Sequence, residues 1–533
     1  MTRPIVWSIA GTDSGGGAGL TADQRAADAF GVHLCPVVAA VTAQHSQSVS
    51  RIAAIGVEML DAQLAALAGD MPPQVIKTGL LGGVAQIECV ARWVDRLRER
   101  APVDLVVDPV LRASSGAAFV DEAALVAYRR WLLPRATLVT PNRHEAAALL
   151  GEPQTSFDTV PALARALQQC GTDAICITGG DSADHDGQVV DWIATAQARG
   201  WLALPRIPTR HRHGTGCTFA SSAAAALALG FVAADALVLA KMATAHALRG
   251  GYAAGQGAGP VQAQRGFARD ASLLPRLSWG ESARFASAVA AHATDRLGLY
   301  AIVDSAARVR PLLDAGVRTL QLRIKTPPQA GAAWHAALRE ELQHGIAACR
   351  DAGARLFVND HWQLALELGA YGVHLGQEDL LALDDGERER LAASGLALGV
   401  STHSLWELGR ALGLSPRYVA CGPVWPTTTK AMPWRPQGRG NLAWWCVMAG
   451  VPVVAIGGVL SPEQAEQAAR CGADGVCAVR VLGGAPAATV RRLQAAMAAG
   501  EGAARMPVPE LPSPSLDPRS APEFGARAAS AFA

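Results

Sequence analysis

The chain has 533 residues, half of them apolar and only 5% aromatic, and its 47 Lys and Arg residues balance 46 Asp and Glu residues to a formal charge of +1. At about 150 residues per domain this length predicts several domains, and two large α/β domains fit it equally well. The apolar content excludes a disordered or fibrous chain. The charge balance excludes the basic excess typical of proteins that bind nucleic acid or anionic membranes.

The cysteines and the first residues indicate a cytoplasmic protein. Ten cysteines are scattered between Cys35 and Cys477 without a Cys-x-x-Cys pair, which fits reduced thiols better than a disulfide framework or a zinc site. The opening MTRPIVWSIAGTDSGGG has one apolar run, which is too short for a signal peptide and is typical of a first strand. The alanine-rich stretch 220–240 contains Gly230 and Asp235, so it predicts a core helix or helix pair rather than a membrane span.

Residues from Pro4 to about Val261 alternate short β-branched runs with helical segments, which predicts a doubly wound, largely parallel sheet covered on both faces. The runs are IVWSIA, PVVAAV, VDLVVDPV, TLVTPN, AICITGG and QVVDWIA. Ligands bind at the carboxyl ends of such strands, and polar or glycine residues are concentrated there. These residues are Asp13 and the glycines 15–17, then Asp108, then Asn142 and Glu145, and last Gly179 and Gly180.

The second half of the chain predicts a closed (β/α)8 barrel, the TIM barrel fold. Eight short apolar runs alternate with segments of helical length. The runs are LYAIVD, VRTLQLR, RLFVND, YGVHLG, ALGVS, RYVACG, PVVAIGG and DGVCAVR. The predicted organisation is an N-terminal domain over 1–262, a linker with one helix over 263–297, the barrel over 298–500 and a disordered tail rich in Pro, Ser and Ala over 501–533.

The segment HGTGCTFASS predicts an anion site in the N-terminal domain. Gly214, Thr215, Gly216 and Cys217 run directly into an alanine-rich helix, where free backbone N–H groups and the positive end of the helix dipole favour phosphate. The two glycines let the backbone approach the phosphate oxygens, and the dipole is expected to stabilise a Cys217 thiolate. The alternative is a glycine-rich cap before a buried helix.

Phosphoryl transfer also requires a metal holder and a group near the acceptor hydroxyl. Asn142 and Glu145 can hold hydrated Mg²⁺ beside the nucleotide phosphates, and Asp108 lies at a neighbouring strand end. Asn-x-x-Glu is also the signature of a helix capping box, and for this motif alone that alternative is favoured.

Six ordered motifs of the N-terminal domain resemble the hydroxymethylpyrimidine/phosphomethylpyrimidine kinases, which have the ribokinase-like fold. The motifs are AGTDSGGGAGLTAD, VTAQHSQSV, VIKTGLL, VVDPVLRASSG, VTPNRHEA and HGTGCTFASS. The resemblance implies that ATP is the phosphate donor, that Asp23 and Gln44 contact the aminopyrimidine, and that 214–217 form the anion hole. Cys217 occupies the position where sugar kinases of this fold have an aspartate base.

One position departs from that family. The segment ICITGGDS has Thr178 where the family usually has a lysine before the glycine pair. A charge that would meet the nucleotide phosphates is therefore missing. Arg112, Arg210 and Arg212 are the candidate substitutes, and slow phosphoryl transfer is the alternative.

The polar residues of the barrel also follow its strands, on the face where barrel enzymes carry their active sites. Two acids on adjacent loops, three cations and a row of hydroxyls predict a Mg²⁺–pyrophosphate site with Asp360 and Asp379 as the metal ligands. For either acid alone, capping of a barrel helix is the alternative. Gly457 and Gly458 are predicted to bind a second phosphate through backbone N–H groups. The set comprises Gln321, Arg323, Lys325, Asn359, Asp360, Gln377, Asp379, Ser401, His403, Thr427, Thr428, Thr429, Lys430, Gly457 and Gly458.

These barrel segments resemble thiamine-phosphate synthase over about 299–482. The motifs are LYAIVD, GVRTLQLRIK, LFVNDHWQLALELGAYGVHLGQEDL, LGVSTH, GPVWPTTTKAMPWRPQG and VAIGGV. The resemblance implies that Mg²⁺ on Asp360 and Asp379 draws pyrophosphate off the aminopyrimidine methylene, and that a thiazole-phosphate nitrogen attacks the resulting cation. It further implies that Arg323, Lys325 and Lys430 assist departure of the pyrophosphate and that Gln321, Asn359 and Ser401 contact the pyrimidine diphosphate.

Two features of the barrel leave roles open. After the last strand the family commonly has a small hydroxyl residue, whereas here Val479 is followed by Arg480, which either grips the thiazole phosphate or points outward. His374 and His403 suggest catalysis, but a histidine in a strand is more often a packed core residue, and we assign His374 no catalytic role.

Together the two halves predict a cytoplasmic bifunctional transferase of thiamine biosynthesis that uses ATP and Mg²⁺. Its partners are small molecules, namely hydroxymethylpyrimidine and its phosphates, thiazole phosphate and ATP, without nucleic acid or membrane, and a homo-oligomer is left open. One alternative is that the N-terminal domain only binds phosphorylated pyrimidine. Another is that it phosphorylates a different heterocyclic alcohol of the pyridoxal type.

Overall fold

The computed structural model describes residues 2–111, 120–152, 155–181, 187–285, 296–427, 433–483 and 486–517. The described residues form two compact units, one ending at Arg284 and the other running from Phe285 to Leu516. All ten cysteines are free, as expected for reduced thiols. Within the described ranges, no helix is long and apolar enough to cross a membrane.

The first unit is built on a ten-stranded sheet in the order β10-β9-β8-β7-β6-β5-β4-β1-β2-β3. The strands are β1 Ile5–Asp13, β2 His33–Gln44, β3 Val49–Ala54, β4 Val75–Thr78, β5 Asp104–Val107, β6 Leu138–Val139, β7 Ala174–Ile177, β8 Gln188–Ala194, β9 Arg199–Pro205 and β10 Arg276–Leu277. The six central strands, from β7 to β2, are parallel, and the added edge strands are antiparallel. The predicted largely parallel sheet is therefore confirmed, with hairpins at both edges that the sequence pattern did not reveal.

Eight α-helices accompany this sheet within the described part of the unit. They are α1 Gly19–Phe30, α2 Val57–Asp70, α3 Val84–Arg98, α4 Glu122–Ala127, α5 Arg143–Leu150, α6 Val160–Gln169, α7 Thr215–Ala228 and α8 Ala233–Arg249. Helix α7 packs against both α1 and α8, and its residues 218–227 are all buried. Its alanines allow this close packing because they add little width to the helix. The alanine-rich stretch is thus a helix pair, as expected.

The segment predicted as a linker differs from the structure in its first part. Residues 267–269 and 271–273 form short 3-10 turns, and Arg276–Leu277 pair with β9 as the last strand of the sheet. The Ser278 hydroxyl accepts a hydrogen bond from the Trp201 backbone N–H at 2.8 Å. A strand of two residues is too short to show a β-strand pattern, so it could not be predicted from the sequence. Residues 286–295 lie outside the described ranges.

The second unit is a closed barrel of eight parallel strands, in sequence order, which confirms the predicted TIM barrel. The strands are β11 Gly298–Val303, β12 Thr319–Leu322, β13 Arg355–Asn359, β14 Gly372–Leu375, β15 Ala397–Thr402, β16 Tyr418–Cys421, β17 Val453–Ala455 and β18 Gly475–Ala478. The helices are α9 Val309–Asp314, α10 Ala332–Asp351, α11 Trp362–Glu367, α12 Gln377–Leu381, α13 Asp385–Ala393, α14 Leu405–Leu412, α15 Gly438–Met448, α16 Pro462–Cys471 and α17 Pro486–Gly502. Tyr300, Phe357 and Tyr418 fill the barrel interior.

The C-terminal segment also differs from the prediction of a disordered tail from residue 501. Helix α17 continues to Gly502, and the following residues up to 517 pack on the barrel, with Ser515 and Leu516 each 3% exposed. Composition predicted disorder because prolines and serines carry little apolar surface. In this segment the backbone finds hydrogen-bond partners on the barrel instead. Residues 518–533 of the predicted tail lie outside the described ranges.

Candidate active sites

A cavity of about 1440 Å³ opens at the carboxyl ends of the parallel strands of the first unit. Its walls bring together residues that are far apart in the sequence, because parallel strands all end at the same edge of the sheet. The predicted residues that line it are Gln44, Asp108, Asn142, Glu145, Gly214, Thr215, Gly216 and Cys217. Thr178 lines it as well, and Asp23 is not among the lining residues.

The start of helix α7 forms one wall of this cavity. Gly214 caps the helix with a left-handed φ of 86°, and a Cβ atom there would lie 2.1 Å from the Gly17 carbonyl oxygen. Only glycine fits this position. Gly216 faces open space, with no atom within 4 Å of where a Cβ would be. Because the N–H groups of a first helical turn have no partners within the helix, this wall offers donors to an anion.

Cys217 does not hold the thiolate that the sequence suggested. Burial, together with the nearby Asp23 and Asp108 carboxylates, raises the pKa of the Cys217 thiol to about 12, against the opposing effect of Lys77. Desolvation and two negative neighbours outweigh the helix dipole, so the group is a neutral thiol at pH 7. Cys217 is therefore poorly suited to act as a base.

Asp23 is the clearest departure from the predicted site. Its carboxylate is fully buried and accepts hydrogen bonds from Ser8 Oγ at 2.6 Å, Ser221 Oγ at 2.7 Å and Lys77 Nζ at 3.0 and 3.1 Å. These protein groups occupy all of its strong acceptor positions in this structure. Asp23 instead stabilises the charge of Lys77, which lines the cavity.

Lys77 and Asp108 form the charged floor of the cavity. Lys77 is completely buried on β4, and its Nζ lies 3.7 Å from Asp108 Oδ2. Burial raises the pKa of Asp108 to about 6, even though Lys77 opposes this. Lys77 lies in the family motif VIKTGLL, and no role was predicted for it. The signal for its importance was a lysine within an otherwise apolar strand, since lysine is rarely buried unless it is paired.

A second network, around the Asp13 carboxylate, lies beside Gln44. The Asp13 carboxylate accepts hydrogen bonds from the backbone N–H groups of Gly15, Gly17 and Ala18 at 2.8–3.0 Å. It also pairs with His213 Nε2 at 2.9 Å, and Gln44 Nε2 lies 3.3 Å from the same ring nitrogen. Burial raises the pKa of Asp13, but the contact with His213 and the three amides together hold it below its usual value. The sequence analysis assigned no role to Asp13 or His213.

Asn142 and Glu145 form the capping box that was their alternative interpretation. The Asn142 side chain accepts from the Glu145 N–H, and the Glu145 carboxylate accepts from the Asn142 N–H, both at 2.9 Å. Both residues also line the cavity. Burial and then the Asp108 charge raise the pKa of Glu145 to about 8, so protons compete with a metal ion for this carboxylate near pH 7.

A lysine without a predicted role lies near Thr178. Lys241 on α8 is 5% exposed, lines the cavity and donates to Asp191 Oδ2 at 2.6 Å. Asp191 Oδ1 accepts from the N–H of Gly179, directly after Thr178, at 2.8 Å. Of the three arginines considered as substitutes, Arg212 lines the cavity, Arg210 does not, and Arg112 lies outside the described ranges.

In the barrel, the predicted charges gather around His374. Asp360, Arg323, Lys325 and His403 all act electrostatically on its ring, although they follow three different strands. Burial and the neighbouring cations lower the pKa of His374 to about 4, so the ring is neutral at pH 7. The carboxyl end of the barrel thus brings Asp360, Arg323 and Lys325 to one place.

Asp360 has a strained backbone at this site. Its φ of 69° is left-handed, which is uncommon for a residue other than glycine. Its Oδ2 pairs with Lys325 Nζ at 2.5 Å. Such strain persists where the surrounding structure fixes a conformation, often at functional sites. Its side chain is paired with this cation, so the capping alternative does not describe Asp360.

Asp379 lies beside Asp360 and does cap its helix. Asp379 Oδ2 accepts from the N–H of Gly376 at 2.8 Å. Burial, and then the adjacent Asp360 carboxylate, raise the pKa of Asp379, against the hydrogen bond from Gly376. Two neighbouring carboxylates are a suitable place for a hard divalent cation, which removes the repulsion between them. The residues present therefore fit Mg²⁺.

A chain of hydrogen bonds across the barrel interior joins Gln321 to Ser401. Gln321 Nε2 donates to the Tyr300 hydroxyl at 3.2 Å, and the Tyr300 and Tyr418 hydroxyls are 2.7 Å apart. Tyr418 contacts His374 Nδ1 at 2.8 Å, and His374 Nε2 contacts Ser401 Oγ at 2.9 Å. His374 is thus the packed, hydrogen-bonded core residue expected from the sequence. It holds Ser401 in place.

Several other predicted barrel residues lie at the same end. Asn359 is buried, and its Nδ2 has no hydrogen-bond partner among the described residues. Gly457 and Gly458 have left-handed φ values of 89° and 75°, and a Cβ atom on either would lie 2.6 Å from atoms of the loop after β16. Val479 and the exposed Arg480 begin the turn after β18. Thr427 is described, whereas Thr428, Thr429 and Lys430 lie outside the described ranges.

Comparison with known proteins identifies a family for each half of the chain. The profile of the phosphomethylpyrimidine kinase family matches residues 13–262, and that of the thiamine monophosphate synthase family matches residues 299–482. The N-terminal half is 40% identical over 261 residues to a hydroxymethylpyrimidine/phosphomethylpyrimidine kinase of Synechococcus elongatus, covering 49% of this chain and 97% of that protein. The C-terminal half is 44% identical over 203 residues to a thiamine-phosphate synthase of Neisseria meningitidis, covering 37% of this chain and 94% of that protein.

One relative matches both halves in the same order. A probable thiamine biosynthetic bifunctional enzyme of Oryza sativa subsp. japonica, named as chloroplastic, is 33% identical over 477 residues, which is 86% of this chain and 82% of that protein. With the doubly wound sheet and the barrel, these matches confirm the predicted ribokinase-like and TIM-barrel folds. The chain belongs to the family of thiamine biosynthetic bifunctional enzymes, with an N-terminal phosphomethylpyrimidine kinase domain and a C-terminal thiamine-phosphate synthase domain.

Proposed function

We propose that the N-terminal cavity phosphorylates hydroxymethylpyrimidine and then its monophosphate with ATP. The observation that carries this proposal is that the start of helix α7, Gln44 and Lys77 all face one cavity. Gln44 pairs with the aminopyrimidine, because an amide offers both a donor and an acceptor to such a ring. The N–H groups of 214–217 stabilise the negative charge of the transferred phosphoryl group. Asp23 serves only to keep Lys77 charged.

Two lysines compensate for the threonine at position 178. Lys77 and Lys241 approach the cavity from different sides of its wall, and each is already paired with a buried aspartate. A cation buried near the transferred phosphate acts in a medium of low dielectric constant, where it stabilises charge more strongly than a surface arginine would. Lys241 therefore takes the part that the family lysine usually plays toward the nucleotide phosphates. Asn142 and Glu145 serve first as a helix cap, with Thr215 and Asp108 lining the same cavity.

In the barrel, we propose that the diphosphate is released rather than attached. The bond between the methylene carbon and the diphosphate oxygen breaks, and the thiazole nitrogen forms the new bond to carbon. Asp360 and Asp379 would hold Mg²⁺, which neutralises charge on the departing pyrophosphate when it is bound. Arg323, Lys325 and Lys430 share that charge, while Gln321, Asn359 and Ser401 orient the pyrimidine. The backbone N–H groups of Gly457 and Gly458, with Arg480, bind the thiazole phosphate.

The test uses the full-length protein with ATP, Mg²⁺, hydroxymethylpyrimidine and thiazole phosphate. We expect thiamine phosphate, and omission of ATP should abolish it unless hydroxymethylpyrimidine diphosphate is supplied. Pyridoxal in place of the pyrimidine should give ADP more slowly, and a Gln44→Ala variant should lose this preference. If thiamine phosphate forms only from added diphosphate and no ADP is released above background, the N-terminal domain is a binding module. We place both reactions in the cytoplasm, on the basis of the ten free cysteines.

A further inference from the structure

A second, smaller cavity of about 490 Å³ adjoins the kinase cavity, and we name it the arginine pocket. Its described lining residues are Thr209, Arg210, Arg212, Gln256, Gly257 and Ala258. Three of them, Thr209, Arg212 and Ala258, also line the kinase cavity. The two spaces therefore share a wall.

The side chains of the arginine pocket favour an anion. Every polar side chain there can donate a hydrogen bond, and none of the described lining residues is acidic. Arg210 and Arg212 are exposed, and within the described parts of the chain neither guanidinium group has a hydrogen-bond or ion-pair partner. Lys77 and Lys241, by contrast, are already paired with buried aspartates. Because a planar guanidinium group can bind phosphate through two parallel N–H donors, two unpaired arginines suit a phosphate group.

Hydrogen bonds hold the backbone around this pocket. His211, between the two arginines, accepts at Nδ1 from the Gly259 N–H at 3.2 Å. On the other side, the Gly257 N–H donates to Ser46 Oγ at 3.0 Å, and a Cβ atom on Gly257 would collide with the Ser46 carbonyl group. Ser46 follows Gln44 by two residues. The arginine pocket therefore lies beside the strand end that carries the residue proposed to pair with the pyrimidine.

Arg212 connects the arginine pocket to the start of helix α7. The Thr215 hydroxyl, in the first turn of that helix, donates to the Arg212 carbonyl at 2.6 Å. Arg212 is thus next to the N–H groups of 214–217, which are proposed to stabilise the transferred phosphoryl group. Arg210 lines the arginine pocket and not the kinase cavity. The two arginines therefore extend from the site of phosphoryl transfer into the adjoining pocket.

We propose that the arginine pocket binds the phosphate group of hydroxymethylpyrimidine monophosphate, which is the product of the first phosphorylation and the substrate of the second. This inference rests on the kinase function proposed above. The starting alcohol has no anionic group to meet the arginines, whereas a phosphate monoester carries about two negative charges at pH 7. Unpaired cations beside a binding cavity raise the local concentration of an anionic substrate and its association rate. The arginine pocket thus favours the second phosphorylation over the first.

Arg210→Ala tests this inference, because Arg210 lines only the smaller of the two cavities. Initial rates of ADP release by the full-length protein are measured with ATP and Mg²⁺, without thiazole phosphate, and with either the alcohol or the monophosphate as acceptor. We expect kcat/KM for the monophosphate to fall by about fivefold to tenfold, as for the loss of one charge-assisted contact. The kcat/KM for the alcohol and the KM for ATP should stay within about twofold of the parent values.

Two more variants and a change of salt concentration serve as controls. Arg210→Lys keeps the charge and loses the planar fork, so its kcat/KM for the monophosphate should lie between those of the parent and Arg210→Ala. Arg100→Ala removes another exposed arginine, shortly before β5 where the central strands begin, and should change nothing. Higher ionic strength should lower kcat/KM for the monophosphate more in the parent than in Arg210→Ala, because salt screens exposed charges.

Three outcomes would overturn the inference while leaving the kinase function in place. The first is an unchanged kcat/KM for the monophosphate in Arg210→Ala. The second is an equal loss with the alcohol, because that pattern indicates a general effect on the kinase site. The third is a higher KM for ATP, which would assign the pocket to the nucleotide. If the parent protein releases no ADP with either acceptor, the proposed kinase function is contradicted, and this inference with it.

Discussion

In the kinase domain the two lysines beside the cavity are paired inside the protein, whereas in the barrel Lys325 is largely exposed. Lys77 and Lys241 are both buried and held by the buried carboxylates of Asp23 and Asp191. Lys325, by contrast, has a side chain 54% exposed and pairs with Asp360, which is itself a predicted metal ligand. The kinase site is thus organised before ATP arrives, while the barrel site contains an ion pair that a metal and a pyrophosphate would replace.

This difference agrees with the direction of each reaction. Attaching a phosphoryl group requires fixed positive charge with little reorganisation, which a buried and neutralised lysine provides. Releasing pyrophosphate requires charges that can accept the departing anion and then let it leave, which exposed groups allow at lower desolvation cost. The variants below test that contrast, from the largest expected effect to the smallest.

The barrel should depend most strongly on Asp360. Asp360→Ala removes a proposed metal ligand, so synthase turnover should fall by about 10²–10³-fold or more. Kinase activity of the same polypeptide should be unchanged and serves as the internal control. Asp385→Ala, at an exposed carboxylate on the barrel surface, is the matched control and should leave both activities intact. If the Asp360→Ala variant remains active, Asp360 is not a metal ligand, and the proposed Mg²⁺ site on Asp360 and Asp379 is contradicted.

In the kinase domain, Lys77 should affect both rate and stability. Lys77→Met leaves Asp23 buried without its cation, which typically costs about 3–5 kcal/mol of unfolding free energy. The kinase rate should fall by about 10²-fold from the loss of a fixed charge. Adding Asp23→Asn to Lys77→Met should recover most of the stability but none of the rate. Recovery of the rate as well would show that Lys77 is only structural.

Lys241 is expected to have a smaller effect, confined to ATP. Lys241→Met should raise the KM for ATP by about tenfold, the size of one charge-assisted contact, and leave the KM for the pyrimidine unchanged. Introducing Thr178→Lys into Lys241→Met should restore ATP binding in part, since it returns a lysine to the family position. If Thr178→Lys restores nothing while the domain remains folded, Lys241 does not substitute for the family lysine.

The last variant concerns the pH dependence of stability through Glu145, and it has the smallest expected effect on the reaction rates. The pKa of Glu145 rises from its usual 4.5 to about 8 in the folded protein. Between these values the folded state binds more protons than the unfolded state, so this group lowers stability as pH rises from about 4.5 to 8. Glu145→Gln keeps the capping box and removes the titration. The temperature at which heating abolishes kinase activity should therefore vary less between pH 5 and pH 8 in Glu145→Gln than in the parent protein. If this temperature varies with pH as much in Glu145→Gln as in the parent protein, the raised pKa of Glu145 is contradicted.

Much of the architecture could be predicted because it depends on local patterns. Short apolar and β-branched runs located all eight barrel strands and the central strands of the sheet except β4, and strand ends identified the faces where Asp108 and Asp360 lie. The strands that were missed, such as β10 and β3, are short or exposed edge strands without such a pattern.

The sequence by itself determined the two folds, their order, the family and most of the residues around each site, because these follow from local periodicity and ordered motifs. Only the tertiary structure decided which groups meet: that Asp23 pairs with Lys77, that burial raises the pKa of the Cys217 thiol, that Lys241 lines the cavity and that 503–517 pack on the barrel. Partners in such contacts lie far apart along the chain. Their ionisation depends on burial and on neighbours that come together only on folding.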